Sequence, residues 1–302
     1  MISAGKTSLG KKRGFLFVSI FLILTSCVSS SPIGTAQVNP VVFSVIGAVE
    51  PQWQLFEGEI GYFHGKVANP QIEFWALRID LGSPKTRIVV SGGTANQNGS
   101  LSARVSSFVR SNNLIAGINA LPFDIITSRE GQPIKNLGLV ISGGKLVSPA
   151  NPYYDALVIY KNGNAAIVKQ SEIGSIENIE NAVGGFYKIL ASGEATQRTQ
   201  NRDDRHPRSA AGISANGTYL YLLVVDGRRS DSGGATEKET SLLLRAIGSW
   251  NGINFDGGGS SALAMRYPDG NVKAVNTPVH NGIPGRERAV AGCIGVSLSR
   301  ER

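Results

Sequence analysis

From Val41 onward the apolar residues come in short runs rich in Val, Ile and Gly, broken repeatedly by turn signals. With 37 glycines among 302 residues, this pattern suits strands joined by tight turns better than long helices. Strands are expected at 72–80, 87–91, 114–119, 137–142, 156–160, 165–169, 210–214 and 219–226. The sequences Lys161-Asn162-Gly163-Asn164 and Ala215-Asn216-Gly217-Thr218 mark hairpin turns between them. Two segments carry helical periodicity. Leu101, Val105, Phe108 and Val109 share one face of 99–113, and Leu242, Leu243, Ala246 and Ile247 share one face of 236–250. Thr236 with Glu239 three residues on predicts a capping box. No internal repeat or second linker is evident, so the expectation is α+β: a single strand-rich domain, with mixed β-sheets and a few flanking helices, over 46–302.

Residues 1–27 read as an export signal. Lys11, Lys12 and Arg13 precede an apolar segment of about eleven residues, too short to span a bilayer. It ends in Leu24-Thr25-Ser26-Cys27, which resembles a bacterial lipobox with Cys27 as the lipidated residue. Val28 after it favours the outer membrane or cell surface, and residues 28–45 read as a tether. Removing the four bases of 1–27 takes the net charge from +8 to +4. That modest balance, with no concentrated basic stripe, suits an anionic small substrate or polyanionic polymer and argues against nucleic acid. Membrane contact is expected through the lipid alone. Cys293, in the apolar run 290–296, is expected to be a buried strand residue.

The stretch Asn254-Phe255-Asp256-Gly257-Gly258-Gly259-Ser260-Ser261 holds the densest chemistry. Three glycines and two hydroxyls follow an acid at the end of an apolar run, so backbone N–H groups can converge on an oxyanion. No lysine follows the glycines, which excludes a P-loop. Other polar clusters also end apolar runs. Asn119 ends a strand; Ala182–Phe186, expected after a helix, brings two glycines; Asn276-Thr277-Pro278 and Arg286-Glu287-Arg288 precede the last strand. Arg208 offers a planar fork for phosphate, and His206 titrates near neutrality. Arg202 and Arg205, interleaved with Asp203 and Asp204, read as a solvated loop. Asp226-Gly227-Arg228, followed by 232–236 and a capped helix, makes a second anion site. No zinc spacing occurs; an oxygen-coordinated Ca²⁺ or Mg²⁺ is allowed but not required.

Taken together and in order, Arg205–Ile213, Leu223–Arg228, Ser232–Thr236 and Asn254–Ser261 resemble the phosphodiester glycosidase family, the domain of N-acetylglucosamine-1-phosphodiester α-N-acetylglucosaminidase. The likeness runs from about Ala68 to Val296. It implies hydrolysis of a sugar-1-phosphate diester without a required cofactor, in envelope or extracellular glycans. By position, Asp256 and Asp226 are the catalytic candidates. Asn119, Arg208, Arg228, Asn254, Gly257, Gly258, Gly259 and Ser260 are the substrate-binding candidates. Such a reaction needs a carboxylate near C1 and arginines with backbone donors on the phosphate, and either acid could be that carboxylate. Leu121-Pro122-Phe123 replaces the Gly and first aromatic of the family's first motif, and is expected to narrow the sugar side of the pocket. A glycosidase or transglycosylase acting on non-phosphorylated glycans and a non-catalytic polysaccharide-binding lipoprotein are the alternative readings.

Overall fold

Tyr219–Val225 explains the architecture in miniature, because its side chains are apolar on both faces. Leu220, Leu222 and Val224 enter one core, while Tyr221, Leu223 and Val225 enter another. A strand buried on both sides reads as a continuous apolar run, as this one does. The computed structural model describes Met1 and residues 39–57, 60–92 and 99–299. The chain divides into two compact units, Met1–Ser31 and Pro32–Arg302, and every described strand and helix lies in the second. Cys27 and the export segment lie outside the described residues.

Three sheets enclose the main core. The largest runs in the order Val41–Phe43, Ile60–Val67, Ile72–Asp80, Tyr219–Val225, Arg208–Ile213, Asn251–Asn254, Tyr187–Ala191 and Glu194–Ala195. Val41–Phe43 pairs parallel with Gly65–Val67, so regular structure begins within the span read as tether. The second sheet is built on Asp155–Tyr160 between Ala165–Lys169 and Ile179–Gly184. The third centres on Ala116–Asn119, between Leu263–Arg266 and Cys293–Leu298. Leu77, Ile118, Leu157, Phe255 and Ile294, drawn from these sheets and the glycine-rich segment, meet in one cluster. Each such side chain contributes about 1.5–3 kcal/mol on burial.

Two helices cover the outer faces. α1 (Val105–Ser111) packs Val105, Phe108 and Val109 against the third sheet, beside the buried strand residue Cys293. α2 (Glu237–Ala246) packs Leu243 and Leu244 against the largest sheet. Thr236 Oγ1 accepts from Glu239 N at 3.0 Å and Glu239 Oε2 accepts from Thr236 N at 2.9 Å, completing the expected capping box. The helix stops short of Trp250, because Gly248 takes φ 113°.

The 99–113 reading needs correction. Gly99–Leu101 is a strand paired with Pro133–Lys135, and only Val105–Ser111 is α-helix. The apolar spacing continued by chance through Leu101, which is exposed. The helix start is set from far along the chain, by Glu130 on Arg104 N at 2.7 Å and Glu287 on Ser106 N at 3.1 Å. Ala182–Phe186 likewise follows no α-helix; Ile179–Gly184 is itself a strand, preceded by a 3₁₀ turn at Gln170–Glu172.

Candidate active site

Antiparallel register brings the predicted residues to one end of the largest sheet. Arg208 pairs with Val225 and Ala210 with Asn254, so the start of one strand meets the ends of its two neighbours. Asp226 and Asp256 therefore leave the sheet at the same end. Asn119, at the end of its own strand, ties the third sheet to this place. Its Nδ2 donates to the Asp256 carbonyl at 2.6 Å, and its Oδ1 accepts from Ser209 Oγ at 2.6 Å and Ala262 N at 3.1 Å. Asn119 thus braces the loop through its backbone, with 1% of its surface exposed.

Asp226 is almost wholly enclosed, and both of its oxygens are engaged. Oδ1 accepts from Asn276 Nδ2 at 2.9 Å and Thr277 N at 3.1 Å; Oδ2 accepts from Thr277 N at 3.0 Å and Arg229 Nη1 at 2.6 Å. Burial raises its pKa to about 6 against the opposing pull of Asn276, Thr277 and Arg229. Asn276 also donates to the Ser261 carbonyl at 3.1 Å and accepts from Leu263 N at 2.9 Å, coupling Asp226 to the far end of the glycine-rich loop. Behind it stands Glu73, bonded to His64 at 2.9 Å and 3.2 Å from Lys66, with Arg229 3.6 Å away. Burial works against ionisation of Glu73, but His64 and Lys66 outweigh it and hold its pKa below the usual value.

The glycine-rich loop closes a short 3₁₀ turn, Gly258–Ser260, after a glycine in extended conformation. Each glycine has a close neighbour, backbone at Gly257 and an arginine side chain at Gly258 and Gly259. A Cβ on Gly257 would stand 2.9 Å from the Pro207 carbonyl oxygen, one on Gly258 2.9 Å from Arg228 Nη2, and one on Gly259 would strike Arg288 Nη2. Gly258 also has φ 62°, a region few side chains tolerate. Two guanidiniums thus press against this backbone. Arg228 is exposed and takes φ 61°, uncommon for a residue other than glycine.

Asp256 sits among these groups. Protein surrounds the carboxyl, while the residue as a whole is half-buried. Burial raises its pKa to about 6, while Ser260, Arg288 and the Gly257 amide pull the other way. Arg288 Nη1 donates to Ser260 Oγ at 3.2 Å, and its Nε donates to His280 Nδ1 at 3.2 Å. Since Arg288 can only donate, Nδ1 accepts and the neutral ring presents Nε2–H to Ser128 Oγ at 2.8 Å. Burial, Arg288 and Arg286 lower the His280 pKa in keeping with that state. Desolvation, partly offset by Asp256 and reinforced by Arg228, lowers that of Arg288.

The remaining candidates divide by what they touch. Arg208 Nε donates to the Ala235 carbonyl at 2.9 Å and Nη2 to the Asp204 carbonyl at 3.0 Å, with Glu237 at 3.9 Å, so its fork clamps two loops. Asn254 is 3% exposed, its carbonyl accepts from Phe186 N at 2.8 Å, and its Oδ1 has no hydrogen-bond partner among the described residues. Its neighbours Ile253 and Phe255 point into the main core. His206 is exposed; burial of part of the ring, Arg208 and Arg228 lower its pKa. Arg202 and Arg205 lie on an exposed loop, as expected, where they pair with Glu237 at 3.4 Å and Glu239 at 2.5 Å. Leu121 is buried in the main core, against the Cα of Gly292 and Gly184, instead of narrowing a pocket. Arg229 is a site residue that the sequence did not single out; its i,i+3 spacing from Asp226 is the signal that marks it. Among the described residues, no three His, Cys, Asp or Glu side chains converge on one point.

A half-buried acid on a glycine-rich loop packed against two guanidiniums is the equipment of a glycosidase-type hydrolase that accommodates a phosphate. The family model for phosphodiester glycosidase matches residues 112–297, more than half of the chain, and the chain belongs to that family. Among solved structures it is similar to the catalytic domain of zebrafish N-acetylglucosamine-1-phosphodiester α-N-acetylglucosaminidase, auto-inhibited by its pro-peptide. The TM-score is 0.62 at 22% identity, over 81% of this chain and 83% of that one. A protein from Synechocystis shares the fold at TM-score 0.61 and 15% identity, over 84% of this chain and 65% of that one. The SPbeta prophage-derived protein YomE of Bacillus subtilis is 36% identical over 93 residues. The match spans 31% of this chain and 13% of that relative's length.

Proposed function

We propose that this protein is an exported, lipid-anchored hydrolase that cleaves the glycosidic C–O bond of sugar-1-phosphate diesters in envelope or extracellular glycans. The observation that carries this reading is Asp256, a carboxyl with pKa about 6 on a loop pressed by Arg228 and Arg288. Arg228 and Arg288, with the loop N–H groups, take the phosphate. Ionised Asp256 faces C1, where oxocarbenium character develops, and accepts a proton from the attacking water. The water oxygen bonds to C1, and the C1–O electron pair leaves with the phosphate. The products are a sugar hemiacetal and a phosphomonoester. A phosphate leaves without protonation, so one carboxylate suffices. Asp226, with both oxygens engaged, sets the positions of Arg229 and the 276–277 segment and through them the loop.

The experiment is turnover of a UDP-sugar and a sugar-1-(methyl phosphate) by the protein in H₂¹⁸O, with and without EDTA, beside Asp256→Asn. The expected result is phosphate free of ¹⁸O and a rate loss of about 10²–10⁴-fold in the variant. Label in the phosphate would show P–O cleavage and sink the mechanism. The EDTA arm reads directly whether Ca²⁺ or Mg²⁺ takes part.

A further inference from the structure

A cleft of about 400 Å³ opens on the second sheet and the edge of the largest one, away from the acids described above. Tyr153, Tyr154 and Tyr187 line it together with Lys169, Lys188 and Arg198. Tyr153 is 82% exposed, the most exposed aromatic side chain among the described residues. Tyr154 stands edge-on to Tyr187 at 5.7 Å, and the Arg198 guanidinium lies 3.2 Å above the centre of the Tyr187 ring. Asp155 accepts from Lys188 N at 2.5 Å through Oδ2, and its other oxygen has no hydrogen bond among the described residues. The cleft therefore offers one open aromatic face, phenol and carboxylate groups suited to sugar hydroxyls, and an excess of cations.

The cleft is connected to the glycine-rich loop by a continuous line of contacts. Tyr187 pairs with Asn254, two residues before Asp256. Arg202 lies 5.8 Å from the Tyr187 ring and 3.4 Å from Glu237, which is 3.9 Å from Arg208. Arg208 follows Pro207, whose carbonyl accepts from Gly258 N at 2.8 Å.

We propose that this cleft is a distal subsite for an anionic glycan, seating a sugar ring on Tyr153 and its phosphate or carboxylate groups on Lys169, Lys188 and Arg198. The substrate is then a polymer with one ring seated in this cleft and its cleavage point at the Asp256 loop; this last step rests on the function proposed above. A single-stranded nucleic acid fits less well, because it needs successive open stacking faces. Here the Tyr187 face is covered by Arg198 and Tyr154 is turned edge-on.

The test is affinity electrophoresis of the protein and its Tyr153→Ala and Lys169→Ala variants in gels containing phosphomannan, alginate, neutral dextran or poly(dT). It is run beside kinetics on phosphomannan and on a sugar-1-(methyl phosphate). Both side chains are exposed, so the variants keep the fold. Retardation by an anionic glycan, weakened about tenfold in each variant and absent in dextran, is the expected result. Phosphomannan acting alone identifies phosphate as the anion, and alginate acting equally identifies negative charge in general. KM for phosphomannan should rise about tenfold in the variants, with the small diester unaffected. Equal retardation of wild type and variants, or none, overturns the subsite; poly(dT) retardation that depends on Tyr153 overturns it in favour of nucleic acid. Retardation that needs Tyr153, without turnover of any diester, leaves the subsite standing and removes the hydrolase reading.

Discussion

Asp256 combines burial, which opposes its charge, with a reaction that requires that charge. Its pKa of about 6 in the folded protein, against an ordinary carboxyl value of 3.8, means that the native state holds the proton more tightly than the unfolded chain. Stability contributed by this residue is therefore greatest at low pH and falls as pH rises from about 4 through 6. Asp256→Asn should raise the melting temperature at pH 7.5 by a few degrees, on the order of 1 kcal/mol, while activity is lost. The gain should shrink toward zero near pH 4; calorimetry across that range that finds a constant gain would contradict the assignment. The arginines separate in the same way. Arg228 is exposed with no hydrogen bond among the described residues, whereas Arg208 is bonded to two carbonyls. Arg228→Ala should lower kcat/KM on a phosphodiester about 10²-fold with an unchanged melting temperature. Arg208→Ala should cost about 1–3 kcal/mol of stability as well, by leaving the Ala235 and Asp204 carbonyls unsatisfied. Denaturant melts of the two variants, set beside their kinetics, decide between a binding and a clamping role.

At the scale of elements, α2 and the strand before it set the site, and the sequence made them legible for a physical reason. Tyr219–Val225 is apolar on both faces, and Thr236 and Glu239 cap α2 from within four residues, so local pattern and tertiary role agree. Thr236→Ala should cost about 1 kcal/mol, read as a shift in the urea midpoint, and should leave Asp256 chemistry intact because the Thr236 hydroxyl bonds to α2 alone. α1 was legible only in part, since its start is fixed by Glu130 and Glu287, 26 and 181 residues from their partners. No local pattern records such contacts. The same limit applies to the site. The glycine-rich loop was legible because three glycines after an acid let a backbone approach its neighbours closely. What those glycines accommodate, Pro207, Arg228 and Arg288, is a matter of register between separate sheets. Asn119 and Asn254 were identifiable as strand-end polar residues, yet a strand end does not tell whether an amide meets a ligand or braces a backbone.

The whole molecule places groups that titrate in opposite senses around one loop, and this gives a pH response no single residue shows. Asp226 and Asp256, both raised to about 6, favour the folded state as pH falls. His280 acts in the other direction: it is fully buried, its pKa is lowered, and it is neutral so that Nδ1 can accept from Arg288. Its contribution is present above the unfolded histidine value of 6.5 and is lost as pH falls through the lower folded value. Protonation of Nδ1 would also release Arg288 Nε, and with it the guanidinium that reaches Ser260 and faces Asp256. Activity should therefore fall below about pH 6 as Asp256 is protonated, and separately as protonation of His280, whose pKa lies below its ordinary value, releases Arg288. His280→Gln can retain an acceptor for Arg288 and a donor for Ser128 without titrating, so it should keep most activity at pH 7.5 and show a single-proton acid limb. His280→Leu removes the acceptor and should lower activity by at least about tenfold at every pH, because Arg288 loses its bond regardless of protonation. Measured profiles of kcat/KM from pH 4.5 to 8 for the three proteins check this. A two-proton acid limb that persists in His280→Gln would place the second proton elsewhere and remove His280 from the control of Arg288.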